Sequence, residues 1–171
     1  HRCRAAAVAV RPASAGRVAK LANSEPLFAA WSAAIRKDAK TAGFVKVVPA
    51  EAQKLAGYQF AKALWLRKTG KLKDAANVMA EAPQDAASLI DPDAWWNERR
   101  ILARSLWDAG QTKLAYKTAS MHAAQSPTSA AEAEFHAGWI ALRALKDPKL
   151  AEAHFTRLLS ISTTPQSLSR G

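Results

Sequence analysis

Apolar residues along the chain fall into blocks at helical spacing, and each block is divided near its middle by a glycine or an Asp-Pro pair. The sharpest block covers 91–123, DPDAWWNERRILARSLWDAGQTKLAYKTASMHA. Stepping about 100° per residue from Trp95 puts Trp96, Leu102, Ala103, Leu106, Trp107 and Ala109 on one broad arc, which predicts an amphipathic helix over 95–109. Gly110 supplies the permissive backbone needed to leave that helix, and a second helical pattern runs over 112–123. The start is equally marked. Asp91 can cap free backbone N–H groups, Pro92 fits the first turn where its missing N–H costs nothing, and Asp93 suits the positive helix end.

Looser copies flank this block. In 58–83 the stripe is Tyr58, Ala61, Leu64 and Trp65, the break is Gly70, and Ala75, Ala76, Val78 and Met79 continue after it. In 131–162 the stripe is Phe135, Gly138, Trp139 and Leu142, the break is Asp147-Pro148, and Ala151, Phe155, Leu158 and Leu159 follow. Ala75, Ala115 and Ala151 mark the same place in each copy, roughly 40 and then 36 residues apart, as in divergent helical-pair repeats. A small residue just past the turn lets the second helix approach the first. The fold class expected is all-α: a right-handed superhelix of antiparallel helical hairpins at about 58–83, 93–123 and 131–162, resembling tetratricopeptide repeats.

Upstream the pattern weakens. Residues 1–22 hold four arginines without helical period and are expected to form a loose basic arm, with the repeat domain occupying 23–171. Over 27–41, Leu27, Trp31, Ala34 and Ile35 share one face of a further amphipathic helix. The run Phe44, Val45, Lys46, Val47, Val48, Pro49 is β-flavoured, but Pro49 and the lack of a pairing partner make it a connection, followed by a short helix towards Leu55.

Composition changes this picture in three ways. Twenty-five Lys and Arg against 14 Asp and Glu give a formal net charge of +11, which implies an anionic partner without naming one. The arm lacks the interleaved aromatics of a single-strand binder, so a solvated tail is preferred there to nucleic-acid binding. The single Cys3 excludes an internal disulfide and a cysteine-based zinc site. No apolar run approaches the roughly 18 to 20 residues of a membrane span. The stretch 5–10 is too short for a secretory core, and a start at His1 reads as a fragment or processed form whose targeting segment, if any, is missing.

The candidate chemistry is sparse. The six tryptophans are expected in the core. The best exception is the pair Trp95-Trp96, because neighbours about 100° apart cannot both point into one core and one can face a neighbouring repeat. Arg99 and Glu134 both fall on the buried arcs of first helices and are expected to meet as an inter-repeat ion pair; the rival reading turns Arg99 towards an anionic ligand. His1, His122, His136 and His154 lack the spacing of a helical metal pair and are expected at the surface or at edges. Glu132 and Glu134, two apart on a helix, point to different faces and do not make an acid–base pair. No phosphate loop or nucleophile elbow is present, so no catalytic residue, cofactor or metal is assigned.

Three segments, VPAEAQKLAGYQFAKALWLRKTGKLKDAANVM from Val48, DPDAWWNERRILARSLWDAGQTKLAYKTA from Asp91 and AEAEFHAGWIALRALKDPKLAEAHFTRL from Ala131, resemble the soluble lytic murein transglycosylases of alphaproteobacterial type. The likeness is to the α-superhelical region that precedes their lysozyme-like catalytic domain. It covers the chain from about Val48, and the blocks WWNERR and AEFHAGWIALR are its most specific parts.

That family cleaves peptidoglycan between N-acetylmuramic acid and N-acetylglucosamine without water, leaving 1,6-anhydro products. Its Glu-Ser and Gly-Leu-Met-Gln type motifs are absent here, so no catalytic residue carries over. The resemblance implies a periplasmic scaffold, inactive alone, partnered by glycan strands and by a catalytic domain if one follows. It implies neither a nucleic-acid partner nor a membrane span. Trp96, Arg100, Arg104 and Lys68 are the candidate glycan-contacting surface, with Lys71 and Lys73 as further basic positions. An incomplete array is expected to expose a last apolar face around Leu158 and Leu168. The alternatives are a free-standing tetratricopeptide-like scaffold that binds a protein, and a basic nucleic-acid binder.

Overall fold

The computed structural model describes residues 48, 50–89 and 91–162, and every regular element among them is helical. The arm at 1–22, the helix expected over 27–41, most of the connection at 44–49, and Leu168 lie outside the described residues. In chain order the helices are α1 (Ala50–Gln53), α2 (Ala56–Lys68), α3 (Leu72–Glu81), α4 (Pro92–Asp108), α5 (Thr112–Ser120), α6 (Pro127–Ile140) and α7 (Pro148–Ile161). A π-helical turn, Ala141–Leu145, continues α6.

Each expected block divides into two helices that pack on each other: α2 on α3, α4 on α5, α6 on α7. First helices also touch first helices, α2 to α4 and α4 to α6, and α3 touches α5. The marker alanines are buried, Ala75 and Ala115 fully and Ala151 nearly so. Asp91 accepts from the Ala94 N–H at 2.9 Å, and Pro92 opens α4. Ser126-Pro127 and Asp147-Pro148 start α6 and α7 by the same device. Asp93 does more than favour the helix end. Its carboxylate accepts from the backbone N–H groups of Gln125 and Ser126, tying the start of α4 to the start of α6.

Two of the three turns inside pairs have the same construction. Gly70 and Gly110 take left-handed φ values of +80° and +74°. Around them the last free carbonyls of the preceding helix are satisfied: Lys71 N–H donates to Leu66, and Gln111 N–H to Leu106. The third turn has no glycine. Lys146 itself adopts φ +59° after the π-helical turn, and Asp147 N–H reaches back to the Ala141 carbonyl.

The core is continuous from α2 to α6, with Met79, Trp95, Trp96, Leu102 and Leu106 as its large members. Trp95 and Trp96 are both buried, and their angular offset is used to serve two neighbours. Trp95 packs edge-on against Phe60 of α2 at 5.2 Å, whereas Trp96 turns the other way, towards His122 and His136. The expected faces of α6 and α7 hold at Gly138, Ala151 and Leu158 and need correcting at Trp139, Leu142 and Leu159. Small residues, Ala130, Ala133, Ala137, Gly138 and Ala141, line the buried side of α6, and Trp139 and Leu142 are exposed. A Cβ at Gly138 would stand 2.8 Å from the Phe155 ring, so only glycine permits this approach of α6 to α7. On α7 the buried face is Ala151, His154 and Leu158, and Leu159 rather than Leu158 is the exposed leucine.

Candidate functional site

The densest polar cluster is buried between α5, α6 and α7 and centres on Glu134. Its Oε1 lies 3.2 Å from His122 Nε2 and accepts from Arg157 Nε at 3.0 Å, and its Oε2 lies 2.6 Å from His154 Nδ1. His154 Nδ1 also lies 2.6 Å from Arg157 Nη2, and its Nε2 lies 2.8 Å from the Tyr116 hydroxyl. Burial raises the Tyr116 phenol above its ordinary range and keeps it a donor. For Glu134 burial opposes ionisation, but the hydrogen bonds from His122, His154 and Arg157 outweigh it and hold the carboxyl well below the usual carboxylate range.

Glutamate, two histidines, tyrosine and arginine together look like acid–base machinery, yet the geometry assigns them to structure. The Glu134 side chain is 9% exposed, and both of its oxygens are engaged. A carboxyl so strongly acidified is ionised near neutral pH and has no proton to donate, and as a base it is weak. The cluster joins His122 beyond α5, Glu134 on α6 and His154 on α7 into one lock. It also corrects the expected placement of the histidines: His154 is buried, and His122 and His136 are half-buried. Spacing along the chain excludes a metal pair but is blind to residues that a turn brings together.

Arg99 and Glu134 are both buried, but they do not pair with each other. Arg99 Nη2 instead donates to the Met79 carbonyl at 2.6 Å, with its guanidinium over the Trp95 ring. The reason lies four residues beyond Met79. The N–H that would close the last turn of α3 belongs to position 83, and Pro83 has none. Arg99 supplies the missing donor, while its Nε and Nη1 find no hydrogen-bond partner among the described residues. Burial lowers its pKa to about 10, still charged at neutral pH.

The inter-helix charge pairing expected of these two is made by their neighbours. Arg67 of α2 pairs with Glu98 of α4 at 2.7 Å, and Arg100 of α4 pairs with Glu132 of α6. Trp96 Nε1 donates to the same Glu132 at 3.0 Å. Burial raises the Glu132 pKa, but the bonds from Trp96 and Arg100 prevail and leave it lowered. As expected, Glu132 and Glu134 face different ways.

These contacts redraw the candidate glycan surface. Trp96 is 1% exposed and fully committed to the core, Arg100 is engaged with Glu132, and Lys68 is half-buried in the last turn of α2. Arg104 alone of the four is exposed beside a groove, of about 640 Å³, between α4 and α6. Trp107 and Asp108 of α4 and Phe135, His136, Trp139 and Ile140 of α6 line the rest of it. Phe135 and Trp139 lie nearly parallel, 17° apart with centroids 6.1 Å apart, and the Arg143 guanidinium stands over Trp139 at 5.4 Å. Trp139 is 41% exposed and, among the described tryptophans, departs furthest from the core.

Among the described residues no group of three or more His, Cys, Asp or Glu is placed to hold a metal ion, and no helix is long and apolar enough to cross a membrane. Comparison with protein-family models, with curated proteins and with solved structures finds no match.

Proposed function

We propose that the chain is a non-catalytic helical-repeat scaffold of a peptidoglycan lytic transglycosylase, working in the periplasm beside a catalytic domain that carries the cleaving glutamate. In this reading the three helix pairs are successive turns of a right-handed superhelix of antiparallel hairpins, forming part of the wall around the glycan path. One observation carries it. The two blocks most like that family, WWNERR and AEFHAGWIALR, lie on α4 and α6, the first helices that touch each other. Their residues make the contacts of that junction: Trp96 and Arg100 reach Glu132, Glu134 locks α6 to α7, Gly138 admits Phe155, and Phe135 with Trp139 faces the groove. The likeness therefore rests on positions with a structural task, not on composition. The positive charge favours a polymer bearing carboxylates over neutral chitin-like strands.

The test is co-sedimentation of the purified chain with peptidoglycan sacculi, beside heparin and DNA controls, with analysis of soluble products. The reading expects retention on sacculi and no release of anhydro-muropeptides. Retention on DNA with a steep salt dependence would assign the charge to nucleic acid instead. A second reading, a free-standing scaffold for a protein partner, draws support from the exposed Ile101, Trp139 and Leu142, and predicts no retention on any of the three polymers.

A further inference from the structure

We infer that the groove between α4 and α6 is a saccharide-binding site for an acidic glycan, with Trp139 and Phe135 as the stacking surface and Arg104 as the carboxylate ligand. The inference rests on the peptidoglycan reading and assigns it a place on the molecule. Three features of the groove converge. Nearly parallel aromatic rings, one of them 41% exposed, offer a flat apolar surface of the kind that receives the C–H face of a pyranose. Arg104 and Asp108 are exposed at its α4 side, and neither has an ion pair among the described residues, so both are available to carboxylates and hydroxyls. Arg143, exposed over the Trp139 ring, adds a second cation on the α6 side.

The occupant follows from that chemistry. A neutral oligosaccharide would use the rings and Asp108 but leave the unpaired Arg104 guanidinium unused. A purely anionic polymer would use the arginines but not the rings. An amino-sugar strand bearing lactyl and peptide carboxylates uses both. The volume of about 640 Å³ is of the size that holds a small ligand or a short stretch of a longer one.

The experiment is a titration of the full chain with soluble, uncross-linked peptidoglycan glycan fragments and, in parallel, with chitotetraose, which has the same backbone without carboxylates. Trp139→Ala is expected to weaken fragment binding about tenfold, the scale of a lost aromatic anchor. Arg104→Gln is expected to weaken fragment binding severalfold and leave chitotetraose unchanged. Circular dichroism establishes that each variant is folded. If Trp139→Ala does not fold, Arg104→Gln and Arg143→Gln, both at exposed positions, carry the test through their selective loss of the acidic ligand.

The outcomes separate cleanly. Parent chain that binds fragments while folded variants bind them equally well overturns the groove but leaves the peptidoglycan reading intact. Parent chain that binds neither sacculi nor fragments overturns both. Concentration-dependent dimerisation abolished by Trp139→Ala, without fragment binding, would give the groove to a second copy of the chain and overturn the inference.

Discussion

Glu134 and Phe135 are neighbours on α6, and they belong to two opposite environments. The roughly 100° between adjacent helical positions sends Glu134 inward, to His122, His154 and Arg157, and leaves Phe135 on the groove with Trp139. The inner cluster has the residue types of catalysis, but its central carboxylate is buried with both oxygens engaged. The groove has bland chemistry but is open, aromatic and flanked by uncommitted charge. Residue type alone would have placed function in the first. Satisfaction and burial assign the Glu134 carboxylate to structural work, whereas the groove is open to solvent.

The largest effect expected from attacking this contrast is at Glu134. Removing one partner of a buried ionic cluster strands the others, so Glu134→Ala should cost about 3 to 5 kcal/mol, read from denaturant unfolding. Its pH dependence has a definite sign. The carboxyl's folded-state pKa lies well below its ordinary value of 4.5, so its stabilisation is complete above about pH 4.5 and drains as pH falls towards the folded value. Glu134→Ala should flatten that acid limb of the stability curve; an unchanged limb would mean another carboxylate governs it.

Next in size is Gly138→Ala. The added Cβ would meet the Phe155 ring and the His154 Cβ, at 2.8 and 3.1 Å, and should cost about 1 to 3 kcal/mol by forcing α6 from α7. The turns give a smaller and opposed pair. Gly110→Ala meets nothing within 4 Å, so its cost is the left-handed backbone alone, about 1 kcal/mol. Lys146→Gly relieves the same strain and should shift the unfolding midpoint upward by a comparable or smaller amount. A destabilising Lys146→Gly would mean that the lysine side chain holds the turn.

The smallest expected quantity is a coupling. Because Arg99 serves the Met79 carbonyl and Glu134 serves the α7 side, a double-mutant cycle between Arg99→Met and Glu134→Gln should be additive within about 0.5 kcal/mol. A coupling well above that would restore the direct pair.

The helical pairs were legible in the sequence because their signals are local: Asp91-Pro92 and Asp147-Pro148 start helices, Gly70 and Gly110 end them, and the marker alanines follow the turns. The buried apolar set of α3 matches its expected stripe, and most of the α4 arc does too. The partners of the charges were not legible in the same way. Angular position places Arg99 and Glu134 on buried arcs correctly, but cannot say which neighbour a long side chain reaches. One signal was present and unused: Pro83, four residues after Met79, announces a carbonyl in need of a donor. The Glu134 cluster had no such signal, since Tyr116, His122 and His154 meet only after two turns reverse the chain. Trp139 escaped for a related reason. The pattern of α6 is apolar around much of its circumference, and the small residues took the buried side.

The most direct measurement compares Trp139→Ala and Glu134→Gln in two readouts on the same preparations, thermal unfolding and retention on peptidoglycan sacculi. The account predicts that Trp139→Ala unfolds within about 2 °C of the parent chain, as befits an exposed side chain, yet loses most of its retention. It predicts that Glu134→Gln unfolds at clearly lower temperature but, while folded, is retained like the parent. Undiminished retention of folded Trp139→Ala, or loss of retention in folded Glu134→Gln, would contradict it.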